Sequence, residues 1–256
     1  MIGAFSVLAW VMTVGLAVSI VPALLNPLTG PTIWQIAGLI TVGVAYNAGL
    51  LIAYSALRIG RVSIVAPIIA TEGGVAALLS VLIGEAISIQ MALVLAVIAV
   101  GVVLAAIERT SADRERDPHS RRAVILSLAA AASFSVGLVV AGRLAGSVPA
   151  IWVVASSRIV GVLALLLPLL VLRRLQLTRQ AAPFVVLSGV LEAAGSLLYV
   201  IAAAEGVAVA AVLSSQFAAI AAIGSFVLFG ERLQRVQLAG VALIAIGVTA
   251  LAAVQA

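Results

Sequence analysis

The chain has 256 residues, 64% of them hydrophobic and only 9% charged, with a formal net charge of +5 and a mean hydropathy of +1.33. A water-soluble domain is about half apolar and about one quarter charged, so this chain cannot cover a water-facing surface and reads as an integral membrane protein. With no Cys, disulfides and thiolate metal sites are excluded, and the single His, His119, sits in a polar stretch that argues against a histidine metal centre.

The N-terminal stretch MIGAFSVLAWVMTVGLAVSIVPALLN has no basic leader and stays apolar throughout, so it reads as a span rather than a cleaved signal. A helix needs about 20 apolar residues to cross the hydrocarbon core. Nine runs qualify: 4–25, 33–58, 62–84, 89–107, 122–145, 149–172, 182–203, 206–229 and 235–254. The breaks between them are mostly short and rich in Gly, Pro or charge, as tight helical hairpins require. Only Glu108–Arg122 is long and polar. Alternating segments of about 10 residues, the mark of a membrane β-barrel, do not occur. The expected fold is all-α with nine transmembrane helices.

One phrase occurs twice. VLIGEAISIQMALVLAVIAVGV (Val81–Val102) and VLFGERLQRVQLAGVALIAIGV (Val227–Val248) match at Gly84-Glu85 with Gly230-Glu231 and at Gly101-Val102 with Gly247-Val248, all at an offset of 146 residues. A fixed offset of this size marks an internal repeat. Glu85 lies between spans three and four and Glu231 between spans eight and nine, so the copies are an odd number of helices apart and face opposite sides of the membrane. That is the pattern of inverted-topology repeats, common in secondary transporters with a site near the midplane. The expected division is a first repeat of four helices at 1–107, a polar linker at 108–121, and a second repeat of five helices at 122–256. The fifth span has no counterpart at or after Met1, so the first repeat is expected to lack its first helix. An upstream in-frame run of apolar codons is the observation that checks this. Gly84, Glu85, Gly230 and Glu231 are expected to serve the helix turns, each carboxylate accepting backbone N–H groups of the helix that follows it. The alternative is that the two glutamates gate the protein through ion pairs between repeats.

Every basic residue is Arg. Twelve lie in the connections after spans two, four, six and eight: Arg58, Arg61, Arg109, Arg114, Arg116, Arg121, Arg122, Arg173, Arg174, Arg179, Arg232 and Arg235. The other side of the membrane carries Arg143 alone. This bias puts the twelve in the cytoplasm, with the N-terminus cytoplasmic and the C-terminus external. It also accounts for the basic pI without a nucleic-acid partner.

Three ionisable residues fall inside spans: Glu72, Arg158 and Glu192. Each costs about 2.5 to 3.5 kcal/mol on insertion scales, which makes it a functional candidate by default. Arg158 and Glu192 lie at similar depth on consecutive antiparallel spans and are expected to pair. Glu72 has no cationic partner in sight and is expected to be neutral or hydrated, as a packing residue or as a carrier of protons. Milder polar residues lie at midspan: Tyr46, Asn47, Thr71, Ser196, Tyr199, Ser214, Ser215 and Gln216. They line the candidate path or bond to neighbouring helices. Trp34 and Trp152, near span ends, read as interfacial anchors.

The twin Gly-Glu turns, each followed by a helix ending in Gly-Val, together with VAPIIATEGGVAALLSVLIGE (Val65–Glu85) and VAVAAVLSSQFAAIAAIGSFVLFGERL (Val207–Leu233), resemble the drug/metabolite transporter superfamily, in particular its EamA-like ten-helix members. The second stretch is similar to that family's Ser-Ser-x-x-Pro segment, with Ala218 where proline is usual. The resemblance implies a carrier of small metabolites, often an exporter of the inner (plasma) membrane, in the ten-helix fold less its first helix. It also implies both termini in the cytoplasm, against the arginine bias. The partners expected are the lipid bilayer and a small-molecule substrate, with a homodimer as a possible assembly and no cofactor. No G-x-x-x-x-G-K-[ST] loop occurs, so transport would not be ATP-driven. An embedded enzyme is the weaker alternative, because no His, Cys or Asp lies in any span. A non-transporting assembly protein is the other.

Overall fold

A computed structural model describes residues 3–60, 62–106, 118–214 and 235–255, and every regular element among them is helical. The helices are α1 (Ala4–Leu25), α2 (Ile33–Ile59), α3 (Val62–Ile69), α4 (Glu72–Leu82), α5 (Ile89–Ala106), α6 (Pro118–Leu144), α7 (Ala150–Val171), α8 (Ala182–Ala203), α9 (Val207–Ser214) and α10 (Arg235–Gln255). Among the described residues α1, α2, α6, α7 and α8 are long and apolar enough to cross a membrane. Large apolar side chains such as Leu25, Trp34, Leu82 and Val171 stand outward. A helix whose backbone is satisfied internally can present such a surface to hydrocarbon. The protein is a multi-pass membrane protein.

Two spans depart from a plain helix. The run 62–84 divides into α3 and α4, with a break at Ala70-Thr71. Several local causes converge there. Pro67 cannot donate the hydrogen bond of an interior helix residue, and the paired Gly73 and Gly74 propagate a helix poorly. The Thr71 hydroxyl donates to the Ile68 carbonyl at 2.7 Å, competing with the next helical turn. Glu72 therefore opens a helix instead of lying within one. In α7 a single π turn covers Val162–Leu166, just before Pro168. The wider turn accommodates a ring that has no N–H to give.

The chain forms two compact units, each taking helices from both halves of the sequence. The first comprises Met1–Leu51 with Val136–Glu205, and the second Ile52–Ser135 with Gly206–Ala256. In the first, α1 packs against α7 and α8, and glycines let the helices close in. A methyl group on Gly43 would lie 2.9 Å from Val160 Cβ, and one on Gly189 would lie 2.7 Å from Val14 Cβ. In the second, α5 packs along α10 and α9 along α4. Its core joins Ala70, Ala77, Leu95, Ile98, Val102, Ala208, Val212 and Ile244. A methyl on Gly101 would lie 3.0 Å from Ile244, and one on Gly247 would lie 3.6 Å from Ile98 Cβ. Small residues give van der Waals contact in place of the hydrophobic drive that lipid removes.

These contacts are reciprocal. Val14 and Val160, Gly43 and Gly189, Ile98 and Ile244, and Gly101 and Gly247 all stand 146 positions apart in the chain. Each glycine contact thus has a twin in which the two halves of the sequence exchange roles.

The turn after α4 differs from expectation. Glu85 does not serve α5, whose opening N–H at Met91 is bonded by the Ser88 hydroxyl at 3.1 Å. Its carboxylate instead accepts the N–H of Ala208, the second residue of α9, at 3.1 and 3.2 Å. The helix start it meets is one 123 residues away in sequence, supplied by the other half of the chain. Gly84 carries the turn in a left-handed conformation, φ +102°, which glycine adopts at little cost. Gly230 and Glu231 lie outside the described residues.

Candidate functional site

The first unit holds a charge at its centre. Arg158 comes from the buried face of α7, which also carries Val154, Ala155 and Gly161, and its side chain is fully buried. Gly15 on α1 makes room for it, since a methyl there would lie 2.9 Å from Arg158 Cδ and Nε. Arg158 Nη1 donates to Glu192 Oε1 at 2.8 Å, and Nη2 donates to the Ser196 hydroxyl at 3.0 Å. The Ser196 hydroxyl in turn donates to the Glu192 carbonyl at 2.9 Å, one helical turn back on α8. Tyr46 of α2 donates its hydroxyl to the same Glu192 Oε1, and its ring centroid lies 5.4 Å from Arg158 Cζ. An arginine over an aromatic face gains a further attraction, larger where water is excluded. Met12 of α1 completes the ring of neighbours, its sulfur 3.6 Å from Nη1.

Asn47, next to Tyr46, ties the same layer together. Its amide donates to the carbonyls of Gly43 and Ser157, both at 2.8 Å. Four helices (α1, α2, α7 and α8) thus contribute to one polar layer built around an ion pair. The pairing of Arg158 with Glu192 drawn from span order is present. The sequence also named Tyr46, Asn47 and Ser196, and the structure brings all five together. Met12 and Gly15 went unnoticed, although the repeat offset pointed to them: Met12 lies 146 residues before Arg158, as Tyr46 does before Glu192.

Hydrogen-bonding capacity is left over in this layer. Asn47 Oδ1, Arg158 Nε and Glu192 Oε2 are buried without a partner. Such atoms normally find one, and each left unmade costs about 1 to 3 kcal/mol. Glu192 is the member with an outlet, since its side chain is 24% exposed while that of Arg158 is at 0%.

The remaining candidates stand apart from this layer. Tyr199 is buried and donates to the Leu138 carbonyl of α6 at 2.6 Å, a helix-to-helix bond. Thr71 and Glu72 belong to the second unit. The backbone carbonyl of Glu72 accepts from the Ser135 hydroxyl at 2.9 Å, while its carboxyl has no hydrogen-bond partner among the described residues. Ser214 is exposed and bonds back to the Ala211 carbonyl at 2.9 Å. Ser215 and Gln216 lie outside the described residues. Trp152 donates its indole N–H to the Asn26 carbonyl at 2.8 Å. No group of His, Cys, Asp or Glu that could hold a metal occurs among the described residues.

The arrangement is a buried charge pair inside a bundle of apolar helices. A family model described as "EamA-like transporter family" matches residues 121–253. The chain belongs to the EamA-like transporter family. Membership carries membrane transport of small molecules, in a family whose members are typically not enzymes. A crystal structure of another protein superimposes on this chain with a TM-score of 0.77 at 17% identity, over 99% of this chain and 89% of that one. At that identity the likeness concerns the fold. No curated protein matches the sequence.

Proposed function

We propose that this EamA-like protein is a secondary carrier that exports a small polar or amphipathic metabolite across the plasma membrane by alternating access. The two repeats of the sequence are inverted, and the layer of Tyr46, Asn47, Arg158, Glu192 and Ser196 lies on the substrate path near the midplane. The observation that carries this reading is the Arg158–Glu192 pair with Glu192 Oε2 left unbonded. Inside a membrane protein ionisable residues mark substrate and ion pathways, and an open acceptor beside a fixed guanidinium is a place for a solute's donor group. The reciprocal contacts at an offset of 146 support the inverted repeats. Exchange of equivalent partners is what a two-fold relation between halves produces. Glu72, at the start of a broken helix and with no hydrogen-bond partner for its carboxyl among the described residues, carries a proton in exchange.

The test is counterflow in proteoliposomes. Purified protein is loaded with one unlabelled compound from a panel of zwitterionic and amphipathic small molecules, and entry of the same compound in labelled form is followed. A transient overshoot with at least one compound, lost in Arg158→Leu and Glu192→Gln while the proteins remain folded, is the expected result. An overshoot that survives both substitutions would remove this layer from the path.

A further inference from the structure

The connection between α7 and α8 keeps an arginine where the backbone calls for glycine. Helix α7 closes with the Arg173 N–H donating to the Leu170 carbonyl at 3.0 Å and the Arg174 N–H donating to the Leu169 carbonyl at 2.9 Å. This pair of bonds ends a helix through one residue in a left-handed conformation, and glycine is its usual occupant. Here that residue is Arg173, at φ +51°, the one residue other than glycine with a positive φ among the described residues. A Cβ in that conformation crowds the following carbonyl, and such strain is a pointer to function. Arg174 follows directly, and a third cation, Arg179, stands in the turn that leads into α8. The first turn of α8 carries no acidic residue, so no carboxylate of its own offsets the positive end of its dipole. All three arginines are exposed, and none has an ion-pair partner among the described residues. The backbone that carries them is pinned. Ser6 of α1 donates its hydroxyl to the Arg174 carbonyl at 3.4 Å and accepts the Gln176 N–H at 3.3 Å. Exposed apolar side chains flank the arginines in the chain, Val171 and Leu172 before them and Leu177 and Phe184 after.

The connection after α1 shows what the fold alone requires at such a place. Trp152 stands 146 residues after Ser6, and it donates to the Asn26 carbonyl just past α1 as Ser6 donates to the Arg174 carbonyl just past α7. The loop held there, Asn26–Thr32, reads NPLTGPT and has no charge. Its left-handed residue is Gly30, at φ +58°. An anchored loop with one left-handed residue can therefore be built without arginine. We propose that the α7–α8 connection is a binding site for the headgroup of an anionic phospholipid. Arg173, Arg174 and Arg179 meet the phosphate, which suits the donor fork of a guanidinium, and Leu172, Leu177 and Phe184 lie along the acyl chains. A free phosphate would use the arginines alone, and the exposed apolar side chains beside them favour the lipid. The arginine bias of the sequence assigns this connection to the cytoplasmic side, whose leaflet carries anionic lipid.

The full-length protein in neutral detergent is titrated with phosphatidylglycerol, with phosphatidylcholine of the same chain length, and with glycerol phosphate, while its thermal midpoint is followed. Phosphatidylglycerol should raise the midpoint in a saturable way, and the other two should not. Arg173→Gln, Arg174→Gln and Arg179→Gln should each weaken the apparent affinity for phosphatidylglycerol about fivefold. Arg58→Gln, exposed in the last turn of α2, should leave it unchanged. Arg173→Gly is the sharpest variant. It should raise the midpoint without lipid, because glycine takes the left-handed conformation at little cost, and still lose about fivefold in affinity for phosphatidylglycerol. An arginine that served only the fold or its orientation would give neither result. Equal shifts with both lipids, or affinity indifferent to the three arginines, overturn the proposal. An equal loss in Arg58→Gln would mean general surface charge, and an equal shift with glycerol phosphate would mean a free-anion site; either outcome also overturns it. No readout uses a transported compound, so failure here is distinct from failure of the counterflow test.

Discussion

The two compact units solve the same packing problem with opposite materials. Both are built on contacts that recur at an offset of 146, and both let helices close in through glycine. The second fills its centre with Ala, Val, Leu and Ile. The first puts a fully buried arginine there and surrounds it with a carboxylate, a phenol, an amide and a hydroxyl. In the second unit the interface gains only contact. In the first it must also repay the desolvation of two charges, which geometry and extra hydrogen bonds offset. A protein that needed helix packing alone could use the second solution twice. The charge is what supports the proposal that a solute is met in the first unit.

The sharpest way to break that comparison is to make the first core resemble the second. Arg158→Leu strands Glu192 beside an apolar wall and should cost about 3 to 5 kcal/mol, the range for breaking one member of a buried pair. Glu192→Leu should cost a similar amount. The double substitution should be milder than either, because two apolar side chains leave no uncompensated charge. Thermal midpoints in detergent, read by the fraction that stays monodisperse, decide the order. A double variant worse than both singles would deny the direct pairing.

How far the sequence foretold these cores depends on the range of the interaction. Five of the nine expected spans came through among the described residues, because hydropathy over about 20 residues averages local noise, and α8 coincides with the run 182–203. The Arg158–Glu192 pair came through because both residues lie near the middle of consecutive spans. The break at Ala70-Thr71 did not, because two residues vanish in such an average and Thr71 looks like any helical threonine until its hydroxyl is seen on Ile68. The partner of Glu85 was missed for a different reason. A carboxylate after a helix is next to the following helix in sequence, but only topology reveals that it meets the start of α9. Tyr46 and Glu192 were both in view, and the offset between them was the repeat length itself.

The second unit can be broken through its glycines. Gly101→Ala puts a methyl 2.9 Å from the Gly240 carbonyl and 3.0 Å from the Ile244 nitrogen. These are backbone atoms, which cannot swing aside, so the cost should be about 1 to 3 kcal/mol, the usual range for overpacking. Gly195→Ala, on the outside of α8, is the contrast, because a methyl there meets nothing within 4 Å. It should stabilise by about 0.5 to 1 kcal/mol through helix propensity alone. Equal effects at the two sites would mean that the seam is loose.

The smallest effect on stability belongs to Glu72→Gln, and there the comparison concerns carboxyls. Glu192 is held by a guanidinium and a phenol. Glu72 opens α4 behind a break, with Gly73 and Gly74 following it and no partner for its carboxyl among the described residues. A proton there can be gained or lost without a paired charge being stranded. Gln keeps the shape and the hydrogen-bonding groups but cannot titrate, so the stability should stay within about 0.5 kcal/mol of the parent. Transport should divide instead. Counterflow, which needs no driving force, should continue, while accumulation driven by a pH gradient across the proteoliposome should disappear. The pair of measurements separates two roles that a single rate would confuse. Loss of both would make Glu72 part of solute binding. Retention of gradient-driven accumulation at the parental level would make it a packing residue.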